Sequence, residues 1–314
     1  MERILVTGGA GFIGAQLARF HQQRGDDVHI LVRPGRPICL RSLSLEGVGV
    51  HRVRLDCQRA LIDCLDDVRP TIIYHMAGGT GRDPALPARW GVDPLLDDLK
   101  NTLTLLSALC EAANAARVLI RAGSLAEYGN GPAPAVEDQR EDPLTTYTSG
   151  MVAGLHYARM LQPKLPCPII TARFALVYGP GQKEEFFLPW LIRRCLSGQQ
   201  STISRPGSRR NMIFVNDLVE ALHRMTGADL PGGSVVNLCT SVAPTIAEIA
   251  QLVVRVCNVD RDLVKFEQDL SPNYRVEVLH GSPARARDLL HWTARTPLEA
   301  GITRCVEHTR RIMS

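Results

Sequence analysis

The run Thr7-Gly8-Gly9-Ala10-Gly11-Phe12-Ile13-Gly14 constrains the fold more than any other stretch of the chain. An apolar segment, residues 4–7, precedes it, and a helical pattern over 13–23 follows. Strand, glycine loop and helix in this order let the backbone turn tightly. They also bring a pyrophosphate against free N–H groups at a helix start, where the dipole favours an anion. Gly8, Gly11 and Gly14, with Phe12 and Ile13 beside them, are therefore candidate dinucleotide-binding residues. A tight turn without a ligand is the plainer alternative, but the order of elements argues against it.

The first half of the chain continues the alternation. Strands are predicted at 28–32, 50–55, 71–75, 118–122 and 169–174, and helices over 95–116 and 147–161. Strands that alternate with helices imply right-handed crossovers and a parallel sheet covered on both faces. Residues 129–143, rich in Gly, Pro and charge, read as a surface loop. After Gly179-Pro180-Gly181 the rhythm changes. Helices are predicted at 187–196 and 218–225 and a strand at 235–238. A further helix over 245–256 begins on Thr245, and Glu248 three residues on completes a capping-box pattern. The expected fold is α/β: a Rossmann-type doubly wound parallel sheet with a smaller mixed α/β C-terminal lobe. Residues 1–178 would bind the dinucleotide, with returning elements around 212–240, and residues 179–314 would form the substrate lobe.

Composition narrows the class. With 314 residues, 45% of them hydrophobic, the chain can bury one large core or two fused ones. The net charge of +4 is carried by arginines spread along the chain beside acids. A nucleic-acid surface gathers them into a stripe, so no nucleic-acid partner is expected. No apolar run approaches the ~20 residues that cross a bilayer. The apolar start leads straight into the glycine loop, as a strand does and a signal peptide does not. Nine scattered cysteines without a CxxC pair read as reduced thiols of a cytoplasmic protein, and no metal site is expected.

The second predicted strand bears on the choice of dinucleotide. It ends Leu31-Val32-Arg33-Pro34-Gly35-Arg36. An NAD site usually places an acid there to hold the ribose 2′-OH. Val32 cannot accept that bond, whereas Arg33 and Arg36 suit a 2′-phosphate. NADP(H) is therefore expected ahead of NAD(H), unless these arginines are only loop charges. Asp56, after the third strand, is a candidate partner for the adenine.

Five further segments carry a family likeness. They are His75-Met76-Ala77-Gly78, Ser124-Leu125-Ala126-Glu127-Tyr128-Gly129, Tyr147-Thr148-Ser149-Gly150-Met151, the stretch from Arg173 to Gln182, and the stretch from Arg210 to Asp217. With the glycine loop they resemble the extended short-chain dehydrogenase/reductases, the nucleotide-sugar epimerase, dehydratase and reductase group. The likeness runs almost the whole length, and within the group it is strongest to sugar 4-ketoreductases. It implies that Ala77 and Tyr147 line the cofactor and that Ser124 bonds the sugar carbonyl. Tyr147 would pass a proton to that oxygen, Arg210 would grip the nucleotide diphosphate, and Gln182 and Lys183 would contact substrate. The chemistry suits these types. A carbonyl that receives a hydride develops negative charge and needs donors already in place, and a nearby phenol can act as general acid. The resemblance also implies a homodimer through the helices at 95–116 and 147–161. Leu103, Leu106, Leu109, Leu155 and Met160 there are equally consistent with core packing.

The sequence departs from the family pattern in three places. Met151 stands where the family has a lysine that bonds the nicotinamide ribose and lowers the tyrosine pKa. A free phenol titrates near ~10, so loss of that lysine harms a base more than an acid. Leu125-Ala126 replaces the acidic pair of the sugar 4,6-dehydratases. Leu176 and Asn211 stand where asparagine and aspartate are common. The expected function is an NADPH-dependent reductase of a nucleoside-diphosphate 4-keto-(deoxy)sugar. The alternatives are a nucleotide-sugar epimerase with tightly held NAD(P) and a non-catalytic NADP(H)-binding sensor.

Overall fold

A computed structural model describes residues 1–35, 38–40, 43–78, 93–113, 116–267 and 276–314, without the side chains of 93–96. The first elements are β1 (Arg3–Thr7), α1 (Phe12–Gln23), β2 (Asp27–Val32), β3 (Gly49–Arg52), α2 (Gln58–Val68), β4 (Ile72–His75), α3 (Asp93–Glu111) and β5 (Val118–Ser124). Next come α4 (Thr146–Leu161), β6 (Ile169–Phe174), β7 (Leu176–Tyr178), α5 (Phe187–Leu196), β8 (Ser201–Ser204), β9 (Arg209–Arg210) and β10 (Met212–Phe214). The chain closes with α6 (Val215–Met225), β11 (Val235–Leu238), α7 (Ile246–Cys257), β12 (Val264–Glu267), β13 (Val278–Leu279), α8 (Ala284–Leu290) and α9 (Leu298–Met313).

Seven strands form one sheet in the order β11-β6-β5-β4-β1-β2-β3. The architecture is the expected Rossmann-type parallel sheet with flanking helices. β1 lies inside it, parallel to both neighbours, with Val6 opposite Ile30 of β2 and Tyr74 of β4. Strands covered on both faces are apolar at consecutive positions rather than alternate ones. β4 follows that rule over Ile72, Ile73 and Tyr74, whereas β6, buried along its whole length, carries Thr171 and Arg173 among its apolar residues.

The chain divides into two compact units. The first comprises Met1–Glu127, Pro143–Arg173 and Leu222–Val236; the second comprises Tyr128–Asp142, Phe174–Ala221 and Asn237–Ser314. A core of the first unit packs Leu5, Leu31, Ile73 and Leu119 of the sheet against Leu61 and Leu65 of α2, Leu106 and Leu109 of α3, and Ala158 of α4. The core of the second packs Leu191 and Ile192 of α5 against Ile249 and Val253 of α7 and Ile302 and Val306 of α9.

Several elements differ from expectation. The helix α2 was not anticipated. Its Leu61, Ile62, Leu65 and Val68 form a stripe against the sheet, and Arg69, at φ 46°, ends it in the left-handed region. The helix predicted over 95–116 ends at Glu111, because the chain is already in place for β5 when Arg117 N donates to the Thr71 carbonyl. The strand predicted over 50–55 ends at Arg52, and the chain beyond turns so that Arg54 meets Asp56. The capping box at Thr245 is present, with Glu248 N donating to Thr245 Oγ1 at 3.1 Å and Thr245 N to Glu248 Oε2 at 2.6 Å. All nine cysteines are free; six are buried, and Cys39, Cys57 and Cys110 are exposed. No described helix is long and apolar enough to cross a membrane.

Candidate functional site

The glycine loop makes a cradle that only glycine fits. Gly8 sits at φ +67°, and a Cβ on it would lie 2.9 Å from the backbone of Ala77. A Cβ on Gly14 would lie 2.3 Å from the Gly8 carbonyl oxygen. Gly11 N donates to that same oxygen at 2.8 Å and so closes the turn. Gly11 is the N-cap of α1. Gly11 brings no side chain to cap the helix and no acid stands in its first turn, so among the described residues no cap bond takes up its opening N–H groups, Phe12 and Ile13 among them. The cradle and the bare helix start fit a dinucleotide pyrophosphate.

Beneath the loop a buried polar chain ties β1 to β4. Thr7 Oγ1 lies 2.8 Å from His75 Nδ1 and accepts from Ala77 N at 3.2 Å, and His75 Nε2 lies 3.2 Å from Thr102 Oγ1. Burial, with the Arg121 charge added, pushes the His75 pKa down to about 3, so the imidazole is neutral. At the end of β2, Val32 is buried and Arg33 is exposed. Arg36 lies outside the described residues. Asp56 is held by Arg54 through bonds of 2.9 and 2.7 Å, with Lys100 at 3.8 Å, and the Arg54 bonds lower its pKa to about 2.

Ser124 closes β5. Its backbone N donates to Glu127 Oε1 at 2.8 Å, and its Oγ accepts from Ala126 N at 3.1 Å. Glu127 is in turn paired with Arg173 at 2.8 Å, and both side chains are fully buried. The ion pair thus fixes the turn that presents Ser124. Leu125, in the place of the dehydratase acid, is buried and gives nothing to proton transfer.

Tyr147 stands in the first turn of α4, which a second capping box starts. Thr145 Oγ1 accepts from Thr148 N at 3.2 Å, and Thr145 N donates to Thr148 Oγ1 at 3.2 Å. Met151 follows one turn later. Against this helix lies a residue the motifs did not single out. Arg121, only 4% exposed, donates from Nη2 to the Met151 carbonyl oxygen at 2.6 Å and from Nη1 to Thr171 Oγ1 at 3.4 Å. The sign of it in the sequence is a lone basic residue inside the apolar strand Val118-Leu119-Ile120-Arg121-Ala122.

The second unit holds a pocket of about 320 Å³ lined by Phe187 and Trp190 of α5, Ser204, Arg205, Ser208 and Arg210. Arg210 Nη1 is steadied by the carbonyls of Arg209 at 2.8 Å and Glu277 at 2.9 Å. Aromatic faces beside guanidinium groups and hydroxyls suit a base attached to phosphates. Phe187, Trp190 and Arg205 were not among the predicted site residues; α5 reads in sequence only as an amphipathic helix. Gln182, a predicted substrate contact, bonds back through Nε2 to the Val177 carbonyl at 2.9 Å. Lys183 is exposed and lies 3.6 Å from Glu185. Neither lines the pocket. Asn211 is wholly buried and donates to the Thr240 and Val242 carbonyls at 2.7 and 3.0 Å, which explains an amide there in structural terms. No group of three metal-ligating side chains occurs among the described residues.

Known proteins align with this layout. Residues 4–239 match the model of the NAD dependent epimerase/dehydratase family. A UDP-glucose 4-epimerase of Mycolicibacterium smegmatis is 30% identical over 324 residues, 98% of this chain and 98% of that protein. The fold is shared with the UDP-glucose 4-epimerase of Thermotoga maritima solved with UDP-glucose. The TM-score is 0.89 at 20% identity, over 99% of both chains. The UDP-glucose 4-epimerase of Thermus thermophilus, solved in complex with NAD, superposes with a TM-score of 0.83 at 26% identity, over 98% of this chain and 99% of that one. The glycine cradle, the Ser124 and Tyr147 segments and these matches together place the chain in the NAD dependent epimerase/dehydratase family.

Proposed function

We propose that the protein is a nucleotide-sugar epimerase that oxidises and re-reduces one carbinol carbon of a UDP-hexose with a retained nicotinamide dinucleotide. The observation that carries the reading is the combined match in length and identity to a UDP-glucose 4-epimerase, with a serine at the end of β5 and a tyrosine at the start of α4. Residues 1–178 would serve the dinucleotide, with elements near 212–240 returning to the sheet, and residues 179–314 the sugar nucleotide.

The residues divide the work. Gly8, Gly11, Phe12, Ile13 and Gly14 hold the pyrophosphate through the α1 N-terminus, and Ala77 backs the loop. When bound, the dinucleotide supplies the redox couple that takes and returns a hydride. Tyr147 removes the proton from the sugar hydroxyl during oxidation and gives it back during reduction. Ser124 donates to the same oxygen; its Oγ already accepts from Ala126 N, so the hydroxyl hydrogen points elsewhere. Arg205 and Arg210 pair with the diphosphate, and Phe187 and Trp190 offer faces to the base.

A second reading keeps the one-way reductase, acting on a nucleoside-diphosphate 4-keto sugar with NADPH. Arg33, exposed after a strand that ends without an acid, favours it, because it can meet a 2′-phosphate. The NAD bound by the Thermus thermophilus relative favours the epimerase. The test is to denature the purified protein, identify the released dinucleotide, and then follow interconversion of UDP-glucose and UDP-galactose. Released NAD⁺ with interconversion supports the epimerase. Consumption of added NADPH without interconversion supports the reductase. A homodimer through α3 and α4 is part of the proposal. Leu106, Leu109 and Leu155 are spent on the core, which leaves Tyr157 and Met160, 44% and 60% exposed, for a partner.

A further inference from the structure

A phenol that must act as a base needs its anion stabilised, and a nearby positive charge in a buried setting is the strongest means available. Methionine at position 151 carries no charge. The structure sets one against the same helix by another route. Tyr147, Met151 and Gly154 follow at intervals of four and three residues, so they share one side of α4. The Arg121 guanidinium is seated there. Its Nη2 bonds to the Met151 carbonyl, and a Cβ on Gly154 would lie 2.6 Å from that nitrogen. Gly154 thus leaves the space that the guanidinium fills.

The charge is not consumed by its neighbours. Among the described residues, the groups that act electrostatically on Arg121 are Glu127, Arg173 and Tyr147. Glu127 is committed to Arg173 at 2.8 Å, so the three side chains Arg121, Arg173 and Glu127 hold one positive charge in excess. His75, opposite Arg121 in the β4–β5 register, is neutral. On the neighbouring α3, Lys100 is turned to Asp56, and Asp97 and Asp98 are not among the groups that act on Arg121. An arginine stays protonated even when buried.

We propose that Arg121 is a positioning residue whose buried guanidinium, seated against the Met151 carbonyl in the space left by Gly154, favours the tyrosinate form of Tyr147 and so replaces the charge missing from position 151. The inference rests on the reading of Tyr147 as the proton-transfer group. It also removes the main objection to that reading, that a tyrosine without a cation cannot serve the oxidative half of an epimerisation.

The test is ultraviolet titration of tyrosinate in the full chain, with Tyr147 isolated as the difference between the wild type and Tyr147→Phe. Tyr147 is expected to titrate at least one pH unit below the free value of about 10. Arg121→Met is expected to raise it by at least one unit, Arg121→Lys to leave it low, and Met151→Lys in the Arg121→Met background to bring it down again. A wild-type Tyr147 that titrates at 10 or above overturns the proposal, and so does an Arg121→Met protein whose Tyr147 is unmoved. If Arg121→Met does not fold by circular dichroism, the wild-type value and Arg121→Lys decide. A merely structural arginine predicts no titration shift and no rescue by a lysine on a different element. The titration needs no turnover. A low Tyr147 pKa with no reaction of UDP-glucose or UDP-galactose would therefore count against the epimerase reading and not against Arg121.

Discussion

In the proposed epimerisation Ser124 and Tyr147 meet different demands, and their variants should separate them. Removing a preplaced donor to a developing oxyanion costs ~10²–10³ in rate, so Ser124→Ala should lower kcat by that order with the fold intact. Tyr147→Phe removes the proton relay and should cost ~10²–10⁴ in kcat in both directions while dinucleotide stays bound. Steady-state kinetics and the absorbance of retained cofactor check both. His75 supports a prediction about pH. Its folded pKa, about 3, lies below the ordinary histidine value, so the unfolded chain takes up the proton first. Its contribution is complete above ~6.5 and falls by ~1.4 kcal/mol per pH unit below that, or ~2 kcal/mol by pH 5. Urea unfolding at pH 7 and pH 5 should show a slope that is shallower in His75→Gln; an unchanged slope would mean another group carries it. The positions of Ser124 and Tyr147, whose roles belong to the proposed function, were legible at the end of β5 and in the first turn of α4 because the signals around them are local. Arg121 was not, since only the packing of β5 against α4 shows what a basic residue in an apolar strand touches.

At the scale of elements, the joints between strand and helix carry the vulnerable points. A Cβ at Gly14 would press on the Gly8 carbonyl and drive the start of α1 away from β1. Gly14→Ala should therefore lose dinucleotide binding and destabilise the protein by ~1–3 kcal/mol. Calorimetry with NAD and a melting curve test the two parts. Thr245→Ala, which opens the capping box of α7, should cost ~1 kcal/mol and leave cofactor binding unchanged. The ends of α4, α5, β6 and α7 were legible within a residue because their signals are local: a cap, an apolar period, a glycine. The short parallel pairs were not. β8 with β12, β9 with β13 and β7 with β10 are two to four residues long and gain their hydrogen bonds from partners elsewhere in the chain. No local pattern identifies such strands.

At the scale of the whole molecule, alternation of strands and helices was enough to announce a parallel sheet, since that class follows from chain rhythm and crossover handedness. The order of its strands, and the place of β11 at one edge beside β6, depend on where a late segment comes back. The pocket in the second unit was hidden for the same reason, as its walls come from α5, β8, β9 and α7. A ligand held only by the folded protein raises its stability by mass action. Dinucleotide at 100 times its dissociation constant should add ~2.7 kcal/mol and shift the melting curve upward. No shift with either NAD or NADP would contradict the assigned cradle.

The distribution of sulfur gives the molecule a built-in counter. Three of its thiols are exposed and six are buried, and burial raises the thiol pKa of Cys64 and Cys167 to about 11 and of Cys305 to about 12. An alkylating reagent should therefore mark three sites in a first fast wave. Of the remaining six, five lie in the two cores and Cys239 is buried outside them, so they become reachable only when the structure opens, and the mass of the labelled chain, followed over time, is a clock for that opening.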